Sequence, residues 1–532
     1  MAGAFGPVTC PVPSMTLLRR SGILLHPTSL PGPHGSGDLG PAACHFVDWL
    51  AVGGQTLWQV LPLGGIGPGN SPYMSPSAFA GNELLIDLAR LREAGWLNDV
   101  DLRPTASLHH KRVDYDAVRP FRMSRLRLAA ERFFADTRQD ARHDYLAFCG
   151  EEGDWLEDYA LFMALGSKLG PDGKVWQDLP AELVHRKSQA LGEAARALAG
   201  ECDFWKFCQW CFDRQWAALR KYANERGVRI IGDIPIFVSA NSADVWAHQR
   251  LFDLDESGYP RVVAGVPPDY FSTTGQRWGN PLYKWEEHEK DAYLWWTKRM
   301  RRMLKLCDIV RIDHFRGFES YWEIPAGSPT AVDGQWRKGP GLALFTEMRK
   351  ALGLKHGKGS DGFQIIAEDL GIITPEVTAL RKAVDFPGMR ILQFAFDGKN
   401  DNLYLPHNFE PQTVVYTGTH DNDTTCGWWE SLQEAERDYV RRYLCIDGAS
   451  IQWEMIHAAS VSVAAVSIVP MQDVLGLDAS ARMNRPGVTA GYWEWRFTWD
   501  QVAPWHAERL AELVRLHDRT ARHKTEKAMT TP

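Results

Sequence analysis

The chain has 532 residues, of which 45% are hydrophobic and 23% charged, a composition unlike that of disordered, collagen-like or coiled-coil chains. Its 59 basic and 66 acidic residues give a net charge of −7, which disfavours nucleic acid as a partner. The longest nearly uninterrupted apolar run, Val461–Val469, is far shorter than the ~18 residues of a membrane span, so no membrane association is expected.

Short β-rich runs alternate along the chain with longer helical patterns. We predict eight strands: Gly22–His26, Thr56–Leu61, Val228–Ile234, Ile309–Asp313, Gln364–Glu368, Met389–Phe396, Val414–Thr417 and Val466–Met471. Their unbroken apolar character is typical of parallel strands that are buried on both faces. Eight such strands separated by helices predict an α/β fold, a (β/α)8 barrel of the TIM type.

Two long intervals interrupt this alternation. Interval 84–226, after the second strand, has Ala, Arg, Glu and Leu at helical spacing and predicts a large helical insertion subdomain. Interval 240–288, after the third strand, is crowded with Gly, Pro and aromatic residues and predicts an irregular substrate-loop insertion. Both follow the carboxyl ends of strands, where a barrel carries its active site. We expect a catalytic barrel over 21–520, with loose tails at 1–20 and 521–532.

Cysteine and tryptophan usage adds two further expectations. The nine cysteines, an odd number, are scattered through a chain long enough to fold without crosslinks, which predicts reduced thiols in a cytoplasmic protein. The 22 tryptophans outnumber both the tyrosines and the methionines. They indicate either a Trp-rich core or flat aromatic platforms that would suit sugar rings.

Carboxylates stand at the ends of two neighbouring predicted strands. Asp313 ends the fourth strand, and Arg311 lies two residues earlier on the same side of that strand. We expect Arg311 to keep Asp313 ionised at neutral pH, as a nucleophile requires. Glu368 ends the fifth strand and Asp369 follows it, and adjacent carboxyls in such a setting can raise one pKa far enough for a general acid.

A third acidic site, His420-Asp421, follows the seventh strand, where the pair can hold substrate hydroxyls and stabilise positive charge. A lone Asp at a strand end more often caps a helix or joins a structural ion pair. Three such sites on one barrel rim favour catalysis instead. Two carboxylates that act on one bond, with a third nearby, are typical of glycoside chemistry.

A set of segments that runs in order from about residue 20 to 515 carries a more specific resemblance. The segments are Asn70–Asn82, Gly232–Ser239, Pro267–Ser272 with Gln276–Pro281, Arg311–Gly317, Ala367–Gly371, Thr419–Thr424 and Ala481–Gly487. With these segments the chain resembles the 4-α-glucanotransferases, also called amylomaltases or disproportionating enzymes, of glycoside hydrolase family 77. This family is related to the α-amylases.

The resemblance implies a role for each matching residue. It implies that Asp313 is the nucleophile, Glu368 the acid/base and Asp421 the stabiliser of the transition state. The residues implied to bind substrate are Tyr73, Asp269, Phe271, Trp278, Arg311, His420, Asp397 and Asn484. Among these, Tyr73 would stack on the transferred sugar, and Trp278 would face the acceptor.

The function that the resemblance implies is a retaining transfer of α-1,4-glucan segments between maltooligosaccharides through a covalent glycosyl-aspartate. No cofactor or metal is expected, because proton transfer and the covalent intermediate supply the chemistry. An α-amylase-like hydrolase with the same carboxylates is the nearest alternative. A non-catalytic glucan-binding protein would have no use for a nucleophile and an acid on one rim. A barrel enzyme for phosphorylated sugars would need a Gly-rich phosphate site, where this chain has Asp421 and Asp423.

Overall fold

A computed structural model of the chain describes residues 18–104, 108–169, 174–268, 272–354, 363–488 and 490–520. The expected tails at 1–20 and 521–532 lie outside these residues, except for 18–20. Within the described residues, no helix is both long enough and apolar enough to cross a membrane.

Twelve strands lie in the described part of the chain. They are β1 (Arg20–Leu24), β2 (Leu57–Gln59), β3 (Arg229–Pro235), β4 (Val262–Val266), β5 (Gln276–Pro281), β6 (Ile309–Asp313), β7 (Ser320–Pro325), β8 (Gln335–Lys338), β9 (Ile365–Ala367), β10 (Gly388–Ile391), β11 (Thr413–Tyr416) and β12 (Val466–Pro470). Eight of them pair in parallel in the order β10-β11-β12-β1-β2-β3-β6-β9. This arrangement confirms the predicted α/β barrel.

The barrel closes between β9 and β10, the two end strands of that order. The backbone N–H of Ala367 donates to the carbonyl of Pro387 at 3.0 Å. The Asp369 carboxylate then accepts from the backbone N–H of Met389 at 2.7 Å and lies 3.1 Å from Nε of Arg381. A buried aspartate thus completes the hydrogen bonding of the last seam, which is a structural task.

Helices cover the outside of the barrel and fill the long interval between β2 and β3. They are α1 (Pro41–Val52), α2 (Leu88–Glu93), α3 (Tyr115–Ala135), α4 (Gln139–Leu169), α5 (Ala181–Val184), α6 (Ser188–Ala197), α7 (Ala199–Glu225), α8 (Ala243–Ala247), α9 (Trp285–Glu289), α10 (Leu294–Leu306), α11 (Gly341–Leu352), α12 (Pro375–Ala383), α13 (Thr425–Ser431), α14 (Glu434–Leu444), α15 (Ile451–Val461), α16 (Met471–Val474) and α17 (Pro504–Leu516). Helices α2 to α7 form the insertion after β2, in agreement with its predicted helical spacing.

Many of the tryptophans belong to the core. Trp58, Trp176, Trp210, Trp216 and Trp246 are among the largest fully buried side chains. Several of their indole N–H groups reach a partner, as that of Trp216 does at the carbonyl of Leu306 at 2.8 Å. For these residues the core explanation of the tryptophan excess is therefore correct.

A second, four-stranded antiparallel sheet has the order β5-β4-β7-β8. Strands β4 and β5 lie in interval 240–288, so the insertion expected as an irregular loop contains regular structure. Two features obscured the strand pattern in the sequence. Strand β5 contains Gly279 and Pro281, and the pairing of β4 with β5 shifts its register between Val263 and Gly265. This sheet stands at the carboxyl end of the barrel strands and carries Trp278 on β5.

Candidate active site

The candidate site lies where β6, β9 and β11 end. Asp313 is the last residue of β6, and Glu368 is the first residue after β9. His420 and Asp421 follow β11 on the loop that leads to α13. Parallel barrel strands bring their carboxyl ends to one rim, and the backbone joins two of these loops directly, since Phe315 N–H donates to the carbonyl of Glu368 at 3.1 Å.

Arg311 on β6 connects two carboxylates at the floor of the site. Its Nη1 lies 2.7 and 2.8 Å from the two oxygens of Asp233, and its Nη2 lies 2.9 Å from Oδ1 of Asp313. The Tyr73 hydroxyl donates to Oδ2 of Asp233 at 2.7 Å. Tyr73, Asp233, Arg311 and Asp313 therefore form one continuous chain of polar contacts from the loop after β2 to the end of β6.

Asp233 is a site residue that the sequence interpretation missed. It lies near the carboxyl end of β3, inside the quoted segment Gly232–Ser239, and its side chain is fully buried. The signal was the same one that identified Asp313, a carboxylate near the carboxyl end of a barrel strand. Its partners, Tyr73 on the loop after β2 and Arg311 on β6, are distant in the chain, and the local sequence does not reveal them.

Burial raises the pKa of Asp313 above its ordinary value. The Arg311 guanidinium opposes this rise, whereas the carboxylates of Asp233, Glu368 and Asp421 add to it. Arg311 therefore favours the ionised form of Asp313, as expected, but burial and the three neighbouring carboxylates outweigh its effect on the pKa. The site is a cluster of acids around one cation and retains a proton more readily than a lone Asp–Arg pair would.

Glu368 is buried and fixed by two backbone donors. Its Oε2 accepts from the N–H of His314 at 2.6 Å, and its Oε1 accepts from the N–H of Leu370 at 2.8 Å. Burial nevertheless raises the pKa of Glu368, although Arg311 and the two backbone donors oppose the rise. A carboxyl group with a raised pKa, held rigidly beside the nucleophile candidate, suits a general acid.

Asp421 is held by a residue from the segment after β12. Its Oδ1 accepts from Nδ2 of Asn484 at 2.6 Å, and its Oδ2 lies 3.4 Å from Nε2 of His420. The backbone N–H of Asn484 donates to the carbonyl of His420 at 3.0 Å. Burial lowers the pKa of His420, so its ring is neutral near pH 7 and acts as a hydrogen-bonding group.

An aromatic wall borders the acidic cluster. The ring of Tyr73 stacks on that of His420, with centroids 5.2 Å apart and an interplanar angle of 15°. On the other side, Trp278 meets His314 edge to face at 4.8 Å, and its Nε1 donates to Oε1 of Gln276 at 3.1 Å. The small sheet therefore places Trp278 against the residue that follows Asp313.

The remaining predicted positions have different outcomes. Asp397 lies on an exposed turn, where its carboxylate accepts from the backbone N–H of Lys399 at 3.1 Å. None of the described contacts of the acidic cluster reaches it. Asp269 and Phe271 lie outside the described residues. Across the described ranges, no three or more His, Cys, Asp or Glu side chains are grouped so that they could hold a metal ion.

The chain is similar to known proteins over nearly its whole length. The family model described as 4-alpha-glucanotransferase matches residues 25–501. A 4-alpha-glucanotransferase of Thermus thermophilus is 48% identical over 513 residues, which cover 95% of this chain and 100% of that protein. One from Synechocystis is 46% identical over 508 residues, covering 95% and 99%. The solved structure of an amylomaltase from Streptococcus agalactiae in complex with acarbose gives a TM-score of 0.90 at 37% identity, covering 94% of this chain and 99% of that one.

Proposed function

We propose, from the premise that the chain belongs to the 4-alpha-glucanotransferase family, that it transfers α-1,4-glucan segments between maltooligosaccharides by double displacement. Its substrates are α-glucans. The observation that carries the mechanism is the pairing of two carboxyl groups at the ends of neighbouring strands β6 and β9. The backbone N–H of His314, the residue after Asp313, donates to Oε2 of Glu368 at 2.6 Å, and this bond fixes the position of Glu368 relative to Asp313.

In the first step, a carboxylate oxygen of Asp313 attacks the anomeric carbon of the donor glucan. The bond from that carbon to the leaving oxygen breaks, and protonated Glu368 gives its proton to this oxygen. The products are a glycosyl ester on Asp313 and a shortened glucan with a free 4-hydroxyl. Because its pKa is raised, Glu368 still carries this proton at pH values where an ordinary glutamic acid has lost it.

In the second step, ionised Glu368 takes the proton of the 4-hydroxyl of an acceptor glucan. The acceptor oxygen attacks the anomeric carbon, and the ester bond to Asp313 breaks. Both displacements invert the anomeric carbon, so the new linkage has the α configuration of the old one. Protons and leaving groups balance over the cycle, which regenerates ionised Asp313 and protonated Glu368.

The surrounding residues orient the transferred sugar. Asp421, fixed by Asn484 and beside neutral His420, faces the positive charge that develops at the anomeric carbon. Tyr73 offers its ring as a platform, because its hydroxyl is held at Asp233 and its face is backed by His420. The other substrate contacts, at Asp269, Phe271 and Asp397, remain predictions.

Transfer exceeds hydrolysis only if an acceptor sugar is held better than water. Trp278 is the candidate for this task, because the small sheet holds it edge-on against His314 beside the nucleophile. The alternative, an α-amylase-like hydrolase, would use the same three carboxylates without an acceptor platform. A cytoplasmic location and the expected absence of nucleic-acid and membrane partners stay predictions.

Chromatography of the products from maltotriose distinguishes transfer from hydrolysis. We expect glucose together with maltopentaose and longer oligomers at early times, because a maltosyl unit moves to a second maltotriose. A matched reaction with the Asp313→Asn variant controls for contaminating activities. If glucose and maltose accumulate without any product longer than maltotriose, the chain is a hydrolase and the transfer proposal is wrong.

A further inference from the structure

Trp493 has a backbone conformation that bulky residues rarely adopt. Its φ is 67°, in the left-handed region, and its side chain is 5% exposed. A buried tryptophan in this conformation persists only where its surroundings fix it from several sides. Trp493 lies directly behind the aromatic wall of the candidate site.

We propose that Trp493 is a positioning residue that holds Tyr73 and His420 against the transferred sugar, and that the helical insertion fixes Trp493 through Tyr115. This inference rests on the proposed function, in which Tyr73 and His420 contact that sugar. Trp493 itself acts through these two rings. The proposal assigns the insertion after β2 a part in organising the site on the barrel rim.

The ring contacts are the first support. The indole of Trp493 lies 5.8 Å from the ring of Tyr73 and 5.8 Å from that of His420, tilted by 43° and 38°. The hydroxyl of Tyr73 is fixed by Asp233, and its ring packs against those of His420 and Trp493. If the indole were removed, both rings would lose a face that now restricts their rotation.

Backbone hydrogen bonds connect Trp493 to His420 through the segment Met483–Asn484. The N–H of Trp493 donates to the carbonyl of Met483 at 2.8 Å, and the next residue, Asn484, donates its own N–H to the carbonyl of His420 at 3.0 Å. The side chain of Asn484 holds Asp421 at 2.6 Å. The segment that places Trp493 therefore also places one of the three proposed catalytic carboxylates.

The helical insertion braces the same segment. The hydroxyl of Tyr115, the first residue of α3, donates to the carbonyl of Trp493 at 3.2 Å. The N–H of Val113 donates to the carbonyl of Glu494 at 2.7 Å, and Arg112 pairs with Trp495 in an antiparallel bridge. The left-handed turn at Trp493 is thus held from the barrel side by Met483 and from the insertion side by Tyr115.

The test compares Trp493→Leu, Trp493→Phe and Tyr115→Phe in the full-length enzyme, with kcat and KM measured for maltotriose disproportionation. For Trp493→Leu we expect kcat to fall about 10- to 100-fold while KM changes less than about threefold, because misplaced platform residues affect the transition state most. Trp493→Phe should restore most of the lost kcat, since an aromatic face is kept. Tyr115→Phe, which removes one hydroxyl, should lower kcat by a few fold.

Two controls separate positioning from folding. Trp453→Leu removes a buried tryptophan of α15 that packs against Trp505, and Tyr145→Phe removes a hydroxyl from a buried tyrosine of α4 that packs against Trp210. Both should leave kcat within about twofold per folded molecule, with the folded fraction measured by circular dichroism at the assay temperature. Matched kcat losses in Trp493→Leu and Trp453→Leu, or an unchanged kcat in Tyr115→Phe, would overturn the inference while wild-type disproportionation still supports the proposed function.

Discussion

Nη2 of Arg311 lies 2.9 Å from Oδ1 of Asp313. This contact is the second of two ion pairs that the Arg311 guanidinium makes among the described residues. The first, to Asp233, uses both carboxylate oxygens, whereas Asp313 receives a single contact. The charge state and position of Asp313 therefore depend on Asp233, a residue on a different strand.

Asp233→Asn tests this dependence. The carboxylate of Asp233 raises the pKa of Asp313, so its removal leaves the charge of Arg311 to Asp313 and lowers that pKa. The ionised nucleophile then persists to lower pH, and the acid limb of kcat/KM should move to lower pH. The value of kcat should also fall by about 10-fold or more, because Tyr73 and Arg311 lose a charged anchor. An acid limb that stays in place would show that Asp233 does not influence Asp313.

The pH profile of the wild-type enzyme tests the state of Glu368. Burial raises the pKa of Glu368, and the group must be protonated in the first step, so activity should fall only as pH rises through that raised value. The alkaline limb of kcat/KM for maltotriose should therefore lie well above the ~4.3 of an ordinary glutamic acid.

A fluoride donor provides the control for that assignment. Fluoride leaves without needing a proton from Glu368, so the release of fluoride from α-glucosyl fluoride in the first step should keep its rate through the alkaline limb. If release from this donor falls at the same pH as maltotriose turnover, a different group is responsible for the limb.

Trp278→Ala tests acceptor control. Loss of the indole should weaken acceptor binding more than formation of the glycosyl-enzyme, so the ratio of hydrolysis to disproportionation should rise several fold. Trp505→Ala, at an exposed tryptophan on α17, is the matched control and should leave that ratio unchanged. If Trp278→Ala lowers both activities in equal proportion, or only lowers thermal stability, Trp278 serves as an anchor for its sheet.

The barrel and the rim carboxylates follow from local sequence. An apolar run that ends in a carboxylate defines both a buried strand and its exposed end, and β6 coincides with the predicted Ile309–Asp313. The same logic placed Glu368 at the end of the predicted strand Gln364–Glu368, and in the structure it is the first residue after β9. Strand ends elsewhere shifted by a few residues, as at β10, where the predicted Met389–Phe396 shortens to Gly388–Ile391.

Relationships between distant segments could not be predicted in this way. Asp233, the bidentate partner of Arg311, lies on β3, and Asp421, the partner of Asn484, lies on the loop after β11, so only the closed barrel brings these residues together. The left-handed turn at Trp493 depends on Tyr115, 378 positions earlier in the chain. The local sequence pattern predicts which residues form a helix or a strand, whereas these contacts depend on how the helices, strands and loops pack against one another.

Mass spectrometry of a trapped intermediate tests the double-displacement mechanism most directly. In Glu368→Gln, α-glucosyl fluoride still glycosylates the enzyme, but the second step lacks its base, so the intermediate accumulates. After acid quench and proteolysis, we predict that the peptide containing Asp313 gains the mass of one glucosyl residue, and that the Asp313→Asn, Glu368→Gln double variant shows no gain. Release of fluoride with an unmodified Asp313 peptide, or glucose attached to another residue, would contradict the account.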